Sequence, residues 1–277
     1  MAFSLRNLFG RKRPVVPVVT LSGAIGMAGP LRPGISLAAV EKNLERAFAV
    51  KSAPAVAIVI NSPGGSPVQS HLIYKRIRAL AEENGKRVIV AVEDVAASGG
   101  YLLALAGDEI IVDGSSIVGS IGVVSAGFGF QNLIEKIGIE RRVHTAGESK
   151  AMLDPFQPEK ADDVARLEGL QEDVHASFIA LVKSRRHGLA DDPDLFTGAF
   201  WIGERALKLG LVDRIGDLRT VLREHYGNRV VLQPVAAERG FLRRRLGLAG
   251  GADLGAGLVD RLVASIEERL LWGRFGL

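Results

Sequence analysis

The 277-residue chain has no cysteine. That excludes a disulfide framework, thiolate catalysis and any cysteine-ligated metal site, and it fits a reducing compartment. Long apolar runs are also missing: none approaches the ~18 residues needed to span a bilayer. Acidic residues are absent from the first thirteen positions, which hold Arg6, Arg11, Lys12 and Arg13 and so account for the whole net charge of +4. The rest of the chain is balanced, which excludes a nucleic-acid-binding body. In "MAFSLRNLFGRKR" the cations follow a short, interrupted apolar stretch instead of preceding a long one, so it is no secretory signal. Phe3, Leu5, Leu8 and Phe9 beside four cations suit residues 1–13 to peripheral contact with an anionic membrane surface. A solvated terminus is the alternative. The expected location is cytoplasmic, including the inner face of the cytoplasmic membrane.

What is present is an alternation of short apolar runs and amphipathic stretches. "PVVPVVTLSGAIG" reads as a first strand, its prolines suggesting an edge position. "ISLAAVEKNLERAFAV" puts Leu37, Val40, Leu44 and Phe48 on one helical face, with Ser36 as N-cap. "PAVAIVIN", "RVIVAVE" and "EIIVD" read as strands buried on both faces, with "VQSHLIYKRIRALAEEN" a helix between the first two. Further on, "QNLIEKIG" reads as a short helix, "IERRVHTAG" as a strand, and Pro158 to Arg186 as a long helix with acids at its start and bases at its end. "WIGERALKLGLVDRIG" and "DLRTVLREHYG" read as closing helices. The pattern predicts α/β layers around a mostly parallel sheet. Three segments follow: a basic arm over 1–14, one main domain over 15–228, and a Gly/Ala-rich linker with an amphipathic C-terminal helix over 229–277. In that helix Leu258, Leu262, Ile266 and Leu270 are in register.

Chemistry concentrates in the loops that follow buried-type strands, where open parallel sheets place their sites. In "VEDVAASGGYLLAL" Ser98 sits at a strand-to-helix turn among small residues. It is either the N-cap of the next helix or a nucleophile. "NSPGGS" sets Gly64 and Gly65 before a helix, as a tight turn or as N–H donors for an oxyanion. Candidate bases are His71, His144 and Lys150. His175, His187 and His225 read as solvated surface groups. Desolvation penalises an ammonium ion, so a lysine among apolar neighbours becomes available as a neutral amine. Lys150 in "TAGESKAMLDPF" has such neighbours, although a surface lysine is the ordinary reading. No HExxH, paired histidines or carboxylate cluster points to a metal, and no cofactor is expected.

Four segments in order, "NSPGGSPVQS", "AASGGYLLALAGDEIIVDGSSIVGSIGVV", "GESKAMLDPFQP" and "GLVDRIG", resemble the signal peptide peptidase A (SppA/SohB-like) family of serine proteases. The resemblance spans about Val15 to Tyr226. It implies a Clp-protease/crotonase-like α/β layered fold, and makes the main domain a serine peptidase domain. It also implies a Ser–Lys dyad, with Ser98 as nucleophile and Lys150 as base. Gly65 or Gly64, with Gly99, would form the oxyanion hole, and Ser120 in "VGSIG" would orient the lysine. The expected partners are peptide substrates, such as signal-peptide remnants or other short or unfolded peptides, and further copies of the chain in a ring. The transmembrane segment and duplicated halves of many members are not visible here. A crotonase-like acyl-CoA enzyme and a non-catalytic assembly module are the rival readings.

Overall fold

The computed structural model of the chain describes residues 13–26, 34–235 and 269–277. The arm through residue 12, the Gly/Ala-rich linker, and Leu258, Leu262 and Ile266 of the C-terminal helix lie outside the described residues.

Among the described residues eight strands form one sheet: β1 (Val15–Ser22), β2 (Ala55–Ser62), β3 (Arg87–Ala97), β4 (Glu109–Val112), β5 (Ile117–Gly119), β6 (Phe200–Ile202), β7 (Arg214–Ile215) and β8 (Val231–Pro234). The path runs β6-β5-β3-β2-β1-β8, with β4 pairing β3 and β7. Every pairing is parallel except β5 with β6. The eleven-residue β3 is long enough to pair with β4 over Ile89–Val92 and with β5 over Val95–Ala97. Among the described residues, α1 (Leu37–Phe48), α2 (Pro67–Asn84), α3 (Gly99–Ala104), α4 (Gln131–Lys136), α5 (Ala161–Arg185), α6 (Gly203–Lys208) and α7 (Leu218–Tyr226) connect and cover the strands.

Helical spacing explains the burial. α1 buries Val40, Leu44, Ala47 and Phe48, and α2 buries Ile73, Ile77, Leu80 and Ala81. These enter the larger core with α3 and the end of α5, whereas Val221 and Leu222 of α7 join Val16, Ala57, Ile89 and Ile111 in a second cluster. Arginines tie α5 to its neighbours: Arg185 donates to the carbonyls of Leu105 and Gly107, and Arg186 forks onto Asp213 at 2.9 Å.

Several expectations need correction. β1 is not an edge, since β8 covers its outer side. Its Pro17 is tolerated because pairing with β2 begins only at Val18. The strand β8 falls beyond residue 228, so the domain extends into what reads as tail. "IERRVHTAG" forms no strand and is exposed throughout. "WIGERALKLGLVDRIG" splits into β6, α6 and β7, because its two ends pair with β5 and β4, and Gly203 opens α6 where a Cβ would collide with the Asp113 carbonyl. Ser36 stands at the N-cap of α1 without a side-chain capping bond. Leu270 is exposed.

Candidate active site

Three parallel strands end side by side. Ala97 of β3 is in register with Gly119 of β5, so Ser98 and Ser120 are the next residues on neighbouring strands. β2 ends at Ser62, opposite Ala96, and leads into Gly64 and Gly65. The β2–β3 register shifts between Ile60 and Ser62. Asn61 pins the irregularity by donating to Asp94 at 2.6 Å and accepting from the Val95 N–H at 3.3 Å. Such irregularities re-aim a strand end.

Ser98 has φ 52° and ψ −120°, a conformation that non-glycine residues rarely adopt. Strain of this kind costs about 1–3 kcal/mol and persists only when the surroundings over-determine it. They do so here: the Ser98 N–H donates to the Gly119 carbonyl at 2.8 Å, and its carbonyl accepts from Leu102 at 3.0 Å. Although Ser98 occupies the N-cap position of α3, its side chain makes no capping bond. The hydroxyl is therefore not used as a cap.

The glycine loop packs against this turn. Gly64 has φ 104°, and a Cβ there would stand 2.9 Å from Cβ of Ser98. Gly65 has φ 137°, and a Cβ there would collide with the Ile25 carbonyl oxygen. Ile25 holds the loop from both sides, its N–H donating to Gly64 O at 2.8 Å and its carbonyl accepting from Ser66 at 2.9 Å. Among the described residues the Gly65 N–H has no acceptor. Gly99, as the first residue of α3, has an N–H outside the helix's own ladder. The two glycines are neighbours, a Cβ on Gly99 lying 3.5 Å from the Gly65 nitrogen. Gly100 presses on the Ser62 carbonyl, and the wholly buried Tyr101 donates its hydroxyl to Leu211 O at 2.7 Å. Burial, countered in part by Arg186, pushes that phenol's pKa well above its usual range.

Ser98, Gly65 and Gly99 line a cleft of about 420 Å³ whose walls include Leu72, Leu102, Val174, Phe178 and Leu181. The α5 contribution is absent from the reading of the sequence, although Val174, Phe178 and Leu181 carry the i, i+4, i+7 signal of one apolar face. Ile25 was missed too, because no local pattern marks it. His71 and Asp173 stand among the same lining residues. Burial, and secondarily the charge of Lys75, lowers the His71 pKa below its usual value. His175 is not a solvated group: it is half-buried, with Nε2 3.0 Å from Ile121 O. His225 is likewise engaged, 2.8 Å from Glu109 Oε2. His144 and His187 are exposed.

Ser120 is buried beside the turn, with φ 53° and its N–H donating to Ala199 O at 2.7 Å. Lys150 is elsewhere. It follows the Gly147 turn, is exposed, lines no part of the cleft, and has no ion pair among the described residues. The desolvation expected from its apolar neighbours is not supplied by its own chain. From Gly122 to Ser177 no residue is buried, and Phe128, Leu133, Ile137 and Ile139 are each more than half exposed. This arm is fastened locally by the Phe130 and Phe156 rings, 5.7 Å apart, and by Arg141, which pairs with Asp154 at 2.8 Å. The Arg141 hydrogen bond holds the Asp154 carboxyl below the usual carboxylate range. Among the described residues no cluster of three metal-ligating side chains occurs, and no helix is long and apolar enough to cross a membrane.

Comparison with known proteins bears on the same residues. A relative from Brucella abortus (strain 2308), named Na(+)/H(+) antiporter NhaA, is 59% identical over 95% of this chain, and the match covers 37% of that protein. The chain thus spans little more than a third of that relative, and its name describes a protein most of which lies outside the match. The chloroplastic serine protease SPPA of Arabidopsis thaliana is 32% identical over 74% of this chain and 31% of its own length. The fold is shared with a lysine-to-alanine variant of the 1510-N membrane-bound stomatin-specific protease, solved with a substrate peptide. The TM-score is 0.52 at 14% identity, covering 92% of this chain and 99% of that one. The family model described as Peptidase family S49 matches residues 81–229, more than half of the sequence and the whole span from β3 through α7. The chain belongs to peptidase family S49.

Proposed function

We propose that the chain is a serine-type endopeptidase that cuts short or unfolded peptides, signal-peptide remnants among them, with Ser98 as nucleophile. The observation that carries this reading is the strained Ser98 turn. Its hydroxyl is uncommitted, and it opens beside the Gly65 and Gly99 N–H groups into an apolar cleft.

The chemistry follows from the residues. Ser98 Oγ attacks the scissile carbonyl carbon as a base takes its proton. The oxyanion that forms is held by the N–H groups of Gly65 and Gly99. Collapse expels the amine, protonated by the same group, and leaves an acyl-Ser98 ester. Water, deprotonated by the base, then releases a carboxylate and restores the serine. No step needs a metal or cofactor. The Leu72, Val174 and Phe178 walls favour an apolar side chain next to the cut.

Lys150 is the base in this reading, supplied by a second copy of the chain. Its own arm keeps it out of the cleft while exposing a row of large apolar side chains that a neighbour can cover. A head-to-tail ring would let each protomer offer a serine on one face and a lysine on another, with Ser120 beside the incoming amine. The location of His71 in the cleft favours a second reading, in which that imidazole is the base.

Labelling by a fluorophosphonate, followed by mass spectrometry of products from a peptide library, tests the reading. Label on Ser98 and products ending in apolar residues are expected. Labelling elsewhere, or none, overturns it. Loss of turnover in His71→Ala with full turnover in Lys150→Ala would move the base to the histidine. Residues 1–13 are proposed to add peripheral membrane contact, each basic residue contributing about 1 kcal/mol at an anionic surface. Equal co-sedimentation with anionic vesicles by the chain with and without that arm would remove this part.

A further inference from the structure

The C-terminal residues 269–277 lie outside the segment that the family model matches, yet they return to the site. Val95 and Ala97 of β3, both wholly buried, form a cluster separate from the two main cores. Phe275 completes it, with Trp272 and Ile117 packed alongside. Each contact leads to the nucleophile turn. Ala97 immediately precedes Ser98. Ile117 is the register partner of Val95, and β5 continues from it to Gly119, whose carbonyl holds the Ser98 N–H. Gly119 is in turn the register partner of Phe200 in β6, and the Phe200 ring meets Phe275 edge-on with centroids 5.1 Å apart. One aromatic wedge thus touches all three strands directly beneath the turn. The cleft and its helices lie across the sheet, where Ala96 faces the main core.

We infer that Phe275 and Trp272 are positioning residues for Ser98. The C-terminal segment clamps β3, β5 and β6 so that the turn keeps its strained conformation and the hydroxyl its aim. A strained residue holds only while its surroundings over-determine it, and here one layer of those surroundings comes from the last nine residues of the chain. The inference rests on the assignment of Ser98 as nucleophile.

The test uses the full-length protein and four variants: Phe275→Ala, Phe275→Leu, Trp272→Ala, and Val221→Ala in the remote second core as a control for general destabilisation. The readouts are the rate constant of fluorophosphonate labelling, kcat and KM for a cleaved peptide, and the thermal midpoint. Phe275→Ala should slow labelling and lower kcat by about tenfold or more with KM little changed, as expected when a reacting group is misaimed rather than unbound. Phe275→Leu should restore most of the rate. Trp272→Ala, the milder probe should Phe275→Ala fail to fold, should slow labelling in the same direction. Val221→Ala should lose stability and label at the native rate. Native-rate labelling of Phe275→Ala or, if that fails to fold, of Trp272→Ala overturns the inference, as does equal slowing in Val221→Ala. A native protein that takes no label overturns the nucleophile assignment and this inference with it, whereas a labelled native protein with indifferent variants removes only the clamp.

Discussion

Around Ser98 every neighbour is committed: strand register, two backbone hydrogen bonds, the Gly64–Gly65 loop and the buried Tyr101 all fix one turn. Around Lys150 the opposite holds, for no residue from Gly122 to Ser177 is fully buried and the stretch displays Phe128, Leu133, Ile137 and Ile139. Single chains do not retain so much exposed apolar surface without a use for it. On the proposed reading, the difference separates a nucleophile and anion hole preorganised within one protomer from a base that reaches them only on assembly.

The strongest attack on this comparison is to remove either reacting group. Ser98→Ala and Lys150→Ala are each expected to lower peptide turnover roughly 10³-fold or more while the thermal transition stays near native. Lys150→Arg should fail equally, since a guanidinium does not give up its proton. On the Lys150 reading, turnover should rise with pH in the native protein, because only a free amine can take the Ser98 proton. Next in size is the anion hole. Gly65→Ala forces a Cβ into the Ile25 backbone and loses the φ of 137°, and loss of such a donor costs about 10²–10³ in kcat. The rate of fluorophosphonate labelling checks it.

Glutamates at Phe128 and Ile137 probe the other side of the comparison. Phe128→Glu with Ile137→Glu should shrink the assembly in light scattering and lower turnover, yet leave the fold intact because neither side chain is buried. Native mass and native activity in that variant would detach the arm from assembly. The smallest effect concerns His71. Its pKa is lowered from 6.5, so the unfolded chain binds the proton more readily than the folded one. The stabilisation is full above pH 6.5 and fades as pH falls through the depressed native value. A few-fold rise in KM for apolar peptides on that acid side is expected, and His71→Gln should abolish it.

The sequence carried much of this, and the reasons differ by element. β2, β3 and β4 were legible because strands buried on both faces read as continuous apolar runs. α1 and α2 were legible from helical spacing. Ser98 and its glycines stood out because small residues cluster only where backbones crowd. The strand read at "IERRVHTAG" failed since β-prone residues with no sheet to join stay irregular, and β8 was missed since its pairing with β1 spans most of the chain. Ile25 and Phe275 bear on the site only through tertiary contact, which no local pattern reveals. The exposure of Lys150 was equally invisible, because apolar neighbours in sequence look the same whether they shield a lysine or await a partner.

Co-assembly of a Ser98→Ala chain with a Lys150→Ala chain tests the central claim most directly. Each should be inactive alone, and subunit exchange is to be verified by differential labelling. If the serine of one copy meets the lysine of the next, roughly a quarter of the junctions in a randomly mixed ring pair an intact serine with an intact lysine. Turnover should recover to about that fraction of native. Mixed assemblies with proven exchange and no recovered turnover would contradict the account and put both reacting groups in one chain.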